Sequence, residues 1–108
     1  MATKTTVTFN SQPNENEFIS LQDQYTGVIL NTMFKTTRTG LYECEIGSTN
    51  LVTAENYSNA LNFDYNTNLL FQISRKVNVV TITANNSFTQ FTILEDTTGA
   101  AVTIDVSN

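Results

Sequence analysis

Glu43-Cys44-Glu45 sets a thiol between two carboxylates, the first place in this chain to look for chemistry. A nucleophilic cysteine must ionise, and two flanking anions oppose that. Cys44 is therefore expected to be a small buried hydrophobe on a strand. As the sole cysteine it cannot form an internal disulfide. Glu43 and Glu45 share the opposite face, where an acid pair or a calcium site competes with a plain solvated surface. Glu15 and Glu17 sit in a polar loop with Asn14 and Asn16, a set of oxygen ligands that calcium accepts. Glu95 and Asp96 begin a turn ending at Gly99, where an aspartate has a local reason to be. Solvation, loop solubility and turn formation account for all three pairs. None has the spacing of an EF-hand.

The chain has no histidine. That removes the commonest general base and the commonest metal ligand, and with them imidazole-based triads and zinc sites. A serine–lysine dyad lacks its S-x-x-K spacing. Four glycines are scattered at Gly27, Gly40, Gly47 and Gly99, so no phosphate-binding loop forms. Sequons at Asn56 and Asn85 occur in an asparagine-rich chain without a leader-like start. No catalytic, cofactor-binding or metal-binding residue is assigned, and no cofactor is expected.

Ten acids against five bases give a formal charge of −5. A nucleic-acid binder must neutralise phosphates, so nucleic acid is not an expected partner. The closest basic pairs are Lys35/Arg38 and Arg75/Lys76. An anionic membrane surface is disfavoured for the same reason. No apolar run is long enough to span a membrane, and the first ten residues lack an apolar leader segment.

The elements that would position these residues are mostly strands. The 19 threonines favour pleated surfaces and the 14 dispersed asparagines favour turns. Residues 5–9, 18–21, 25–35, 41–46, 70–74, 79–84, 88–94 and 101–106 read as strands. Residues 28–30 read as covered on both faces. Tyr42, Cys44 and Ile46 share the predicted core face of the fourth segment. Residues 36–40 read as the turn of a hairpin joining the third and fourth strands. Phe91 and Ile93 are expected on one face, as are Val80, Ile82 and Ala84, and Val102, Ile104 and Val106.

The stretch TAENYSNAL is different. Ala54, Tyr57 and Leu61 fall at helical spacing with Ala60 beside them, Thr53 is a candidate cap, and Glu55 suits the positive end of the dipole. One short helix is expected near 53–63. The fold class is α+β and β-rich: antiparallel sheets, sandwich-like or layered, with that helix packed on them. An all-β sandwich is the alternative. The length suits one domain over 1–108.

Gly47-Ser48-Thr49, then Thr53-Ala54-Glu55-Asn56 with Ala60-Leu61, then Val79-Val80-Thr81-Ile82-Thr83-Ala84 stand in a familiar order. The order resembles small strand–helix–hairpin modules of tailed-bacteriophage virion proteins, in tail and neck components. The resemblance covers roughly residues 41–94. The hairpin here turns on Arg75-Lys76-Val77-Asn78, where such modules turn on Gly-Asn or Gly-Asp. Asn85-Asn86-Ser87 stands where they carry glycine. The resemblance implies a packing unit and carries no site residue. It implies a non-enzymatic virion structural protein of the tail, neck or capsid, made in a host cytoplasm. Such a protein is a homo-oligomer that also binds other virion proteins. The charge-free run of residues 78–93 fits it, because uncharged strands need their edges covered. A carbohydrate- or host-surface-binding β-module is the alternative, and a carboxylate enzyme or calcium protein ranks below both.

Overall fold

A computed structural model describes residues 4–65, 70–85 and 89–107, leaving out the side chain of Tyr65. The helix end expected within residues 62–68 and the turn expected at 85–87 lie partly outside them, at 66–68 and 86–87. Along the chain come β1 (Lys4–Phe9), β2 (Phe18–Asp23), β3 (Ile29–Lys35), β4 (Glu43–Glu45), α1 (Asn50–Tyr65), β5 (Phe71–Lys76), β6 (Val79–Ala84), β7 (Phe91–Asp96) and β8 (Val102–Ser107). One four-stranded sheet has the order β5-β6-β1-β8 and the other β4-β3-β2-β7. The fold is α+β and β-rich, as the sequence predicts.

Period-two alternation decides which faces meet. Thr5, Val7 and Phe9 of β1 point inward beside Val80 and Ile82 of β6. Leu30 and Phe34 of β3 and Ile19 and Leu21 of β2 do the same in the second sheet. Both sheets and α1 feed one hydrophobic core. The Phe9 ring lies 5.8 Å from that of Phe34, edge to face, and Tyr57 of α1 lies 5.5 Å and 6.0 Å from the two. Phe71 of β5 meets Phe91 of β7 at 5.5 Å. These aromatic contacts tie sheet to sheet and helix to both.

The helix runs Asn50–Tyr65, three residues earlier than the sequence suggests. Thr49 is the cap: its Oγ1 accepts the Val52 N–H at 3.3 Å and its carbonyl accepts the Thr53 N–H at 3.0 Å. Thr53 is instead fully buried inside the first turn. Leu51 and Val52 hid the true start, because both are exposed and break the apolar stripe. The stripe itself is as predicted, with Ala54, Tyr57, Ala60 and Leu61 all buried. α1 packs on β1, β3, β4, β5 and β6.

The expected β3–β4 hairpin is not there. β4 pairs parallel to β3, with Met33 opposite Glu43 and Lys35 opposite Glu45. Parallel neighbours ordinarily need a long crossover. Here β4 has three residues and matches the last three of β3, so residues 36–42 need only fold back that far. The price is a left-handed backbone at Tyr42, φ 64°. Tyr42 is consequently half exposed rather than on the core face.

Two further strand expectations change. Residues 25–28 belong to the β2–β3 turn, where the buried Asp23 carboxylate accepts the Tyr25 N–H at 2.9 Å and the Thr26 hydroxyl. Gly27, at φ 79°, completes that turn. Ile29 is therefore exposed, and of residues 28–30 only Leu30 is buried. In β7 the pairing with β2 skips Leu94, so Leu21 faces Ile93 and Ser20 faces Glu95. Phe91 is buried, but Ile93 and Leu94 are both exposed on this edge strand.

The two-residue β5–β6 turn places Val77 at φ 57° with 57% exposure. A β-branched side chain in that region is strained, while Asn or Gly is suited to it. Val77→Asn is expected to stabilise the fold by about 1 kcal/mol, read as a shift of the urea midpoint at constant slope. The β5–β6 register sets the turn at two residues, and Asn78 Nδ2 bonds the Phe9 carbonyl at 3.1 Å.

Candidate functional site

The loop of residues 36–42 and the C-terminal half of α1 enclose an open groove of about 420 Å3, lined by Arg38, Glu45, Asn56, Asn59, Ala60 and Phe63. Loop residues cannot pair in a sheet, so their backbone donors need other acceptors. Carboxylates supply them. Glu15 Oε1 accepts the Thr36 N–H at 2.9 Å, and Glu45 Oε1 accepts the Arg38 N–H at 3.2 Å. Glu43 Oε1 accepts the N–H groups of Thr39 and Gly40 at 2.9 Å and 3.3 Å.

Arg38 is pinned from two sides. Its Nη1 donates to the Glu43 carbonyl at 2.8 Å and its Nη2 to Asp64 Oδ1 at 2.5 Å. The other Asp64 oxygen accepts the Tyr42 N–H at 2.9 Å, which holds the left-handed residue in place. The Asp64 side chain is fully buried, and that of Arg38 is 27% exposed. The guanidinium carbon stands 5.7 Å from the centre of the Phe63 ring, within cation–π range. Phe63 itself is 76% exposed. Leu41 and Tyr42, on the same loop as Arg38, are also exposed. On the groove wall Asn56 Nδ2 donates to the Glu45 carbonyl at 3.0 Å, leaving its Oδ1 as an acceptor.

Each carboxylate pair has a structural task. Glu43 and Glu45 hold loop amides, as described. Glu17 Oε1 accepts the Asn14 N–H at 2.6 Å. Asp96 accepts the backbone and hydroxyl hydrogens of Thr98, a local turn. Among the described residues no group of three or more His, Cys, Asp or Glu is placed to hold a metal. Cys44 is buried, and burial pushes its thiol up to about 12, so it stays protonated at neutral pH. Of the sequons, Asn56 lies on the groove wall and Asn85 donates its backbone N–H to the Leu70 carbonyl. The Arg38–Asp64–Phe63 arrangement has no sequence signature, because its partners stand 26 residues apart.

The Thr39 N–H holds the Glu43 carboxyl below its ordinary value of 4.5, and the Thr36 N–H does the same for Glu15. A depressed folded-state value stabilises above the ordinary value, and that contribution is lost as pH falls through the folded value. The loop is therefore expected to loosen below about pH 4.5. Amide protection factors at Thr36, Thr39 and Gly40 should fall there before those of Val80 and Ile82. Glu43→Gln should flatten the response at Thr39 and Gly40.

No helix among the described residues is long and apolar enough to cross a membrane. No protein-family model matches the chain, and no curated protein matches it.

Proposed function

We propose that the chain is a non-enzymatic structural component of a tailed-bacteriophage virion, acting by repeated assembly with itself and with other virion proteins in the tail, neck or capsid. The observation that carries assembly is the exposed Phe63 ring with the pinned Arg38 beside it, together with Leu41 and Tyr42 exposed on the loop that carries Arg38. Aromatic residues and arginine dominate the energetics of protein interfaces, and a residue already held in place loses little freedom on binding. The carboxylates around the groove are committed to loop amides, so what the site offers outward is mainly apolar surface. The virion half of the reading rests on the resemblance of residues 41–94 to tail and neck modules. Partners are proteins, with neither nucleic acid nor membrane among them. Gene neighbourhood tests the virion half: flanking portal, capsid or tail genes are expected, and a metabolic operon would sink it.

A second reading has its own support. An exposed Phe63 ring beside Asn56 and Asn59 is the kind of stacking surface and amide pair that sugars use. On that reading the chain is a carbohydrate- or host-surface-binding module. A glycan array with signals abolished by Phe63→Ala would favour it, and a blank array would remove it.

A further inference from the structure

We propose that the β3–β4 loop and β4 form an acid-released strap: protonating the carboxylates that hold the loop's amides shifts residues 36–46 toward a state detached from β3 and α1, while the core of the two sheets stays folded. This device is independent of the assembly reading above.

The loop is tied down by acidic side chains. Thr36 donates its N–H to Glu15, Arg38 to Glu45, Thr39 and Gly40 to Glu43, and Tyr42 to Asp64. Those carboxylates come from the β1–β2 connection, from β4 and from α1. Charge-assisted hydrogen bonds are roughly twice as strong as neutral ones, so a protonated carboxyl holds its amide less well.

β4 adds little hold of its own. It has three residues, stands at the edge of its sheet and pairs only with the end of β3. Among those three residues only Cys44 is buried. The backbone ties beside it are the Met33 N–H to the Tyr42 carbonyl at 2.9 Å and the Ile46 N–H to the Lys35 carbonyl at 2.8 Å. Detachment also relieves the left-handed Tyr42. A segment with so few buried apolar contacts opens locally at a fraction of the global cost. Gly47 stays bound to Thr53 and Gln12, so the strap ends there.

The charges around these ties set the sign. Lys35 of β3 and Arg38 of the loop are the cations that face them. Glu17 accepts the Asn14 N–H, and Glu55 of α1 turns to Arg75 of β5 at 3.6 Å. The Thr36 and Thr39 amides hold the Glu15 and Glu43 carboxyls below their ordinary value of 4.5. Their contribution is complete above that value and is lost as pH falls through the lower folded values, so acid raises the detached population.

Cys44, buried with its Sγ 3.8 Å from the Thr53 carbonyl of α1, reports whether the strap is down. Dithiodipyridine reacts with accessible thiols even in acid. The Cys44 sulfur bonds one sulfur of the reagent, the S–S bond breaks, and thiopyridone leaves with the thiol proton. Labelling rates are measured from neutrality to well below pH 4.5, each divided by the rate for the urea-unfolded chain at the same pH. Protection of Cys44 should fall roughly tenfold or more, while circular dichroism keeps the sheet signal. Glu15→Gln with Glu43→Gln substitutes neutral acceptors, so that variant should start less protected and lose most of the pH response. Glu15→Gln alone, at an exposed position, should lose part of it and serves if the double variant does not fold. Protection that holds until the sheet signal itself is lost would overturn the strap, as would variants that respond to pH like the unaltered chain.

Discussion

Gly47→Ala is expected to cost roughly 3 kcal/mol and to lower the melting temperature by about 10–20 °C. A Cβ at Gly47 would stand 2.4 Å from Val52 Cγ1, 2.6 Å from Val52 Cβ and 3.0 Å from the Thr53 amide nitrogen. A rotamer change moves the methyl but not the Cβ or the backbone nitrogen. The start of α1 must therefore shift. That shift also breaks a closed set of hydrogen bonds. Gly47 N–H donates to Thr53 Oγ1 at 2.8 Å, Thr53 donates to the Gln12 side-chain oxygen, and the Gln12 amide donates to the Gly47 carbonyl. Thr53 is fully buried, so its hydroxyl cannot turn to water for a substitute. Gly47 needs no left-handed backbone, so the whole penalty is steric. Thermal unfolding followed by circular dichroism checks it. A drop of less than about 3 °C would mean that the helix start moves at little cost.

Arg38→Met is expected to lose about 2–3 kcal/mol, measured by urea unfolding. The expectation comes from an asymmetry in the ion pair. Asp64 is fully buried, while Arg38 keeps 27% of its side-chain surface in water. Removing the exposed partner strands a buried carboxylate, whose remaining bond is the Tyr42 N–H. Fully enclosed pairs lose about 3–5 kcal/mol when broken this way, and the water reaching Arg38 reduces that. Asp64→Asn should cost less, because a freed Arg38 can rehydrate and the amide oxygen can still accept the Tyr42 N–H. Equal losses for the two variants would contradict this account of the pair.

The fold was largely legible in the sequence because burial follows strict periodicities. Val80, Ile82 and Ala84 alternate, and Ala54, Tyr57 and Leu61 recur at helical spacing, and both sets lie in the core. What escaped depends on contacts between distant residues. The parallel β4 could not be told from a hairpin, since alternation in LYECEI is the same for either direction. Its direction is set by Tyr42 φ and by Glu43 reaching back to Thr39 and Gly40. The exposure of Leu94 goes with the register skipped against β2, while Ile93, still in regular register opposite Leu21, is exposed on the edge strand. The groove was not legible: Arg38, Asp64 and Phe63 look like scattered residues until the β3–β4 loop meets the end of α1. The carboxylate pairs were legible in part. Asp96 has the turn role expected of it, whereas Glu43 and Glu17, expected on a solvated face and in a soluble loop, also accept loop amides.

The central claim is that this chain exists to assemble. Native mass spectrometry of the unaltered protein over a hundredfold range of concentration tests it most directly. A defined oligomer, or a ladder that adds one subunit at a time, is the expected result, with its population rising with concentration. A lone monomer mass across the whole range would contradict it.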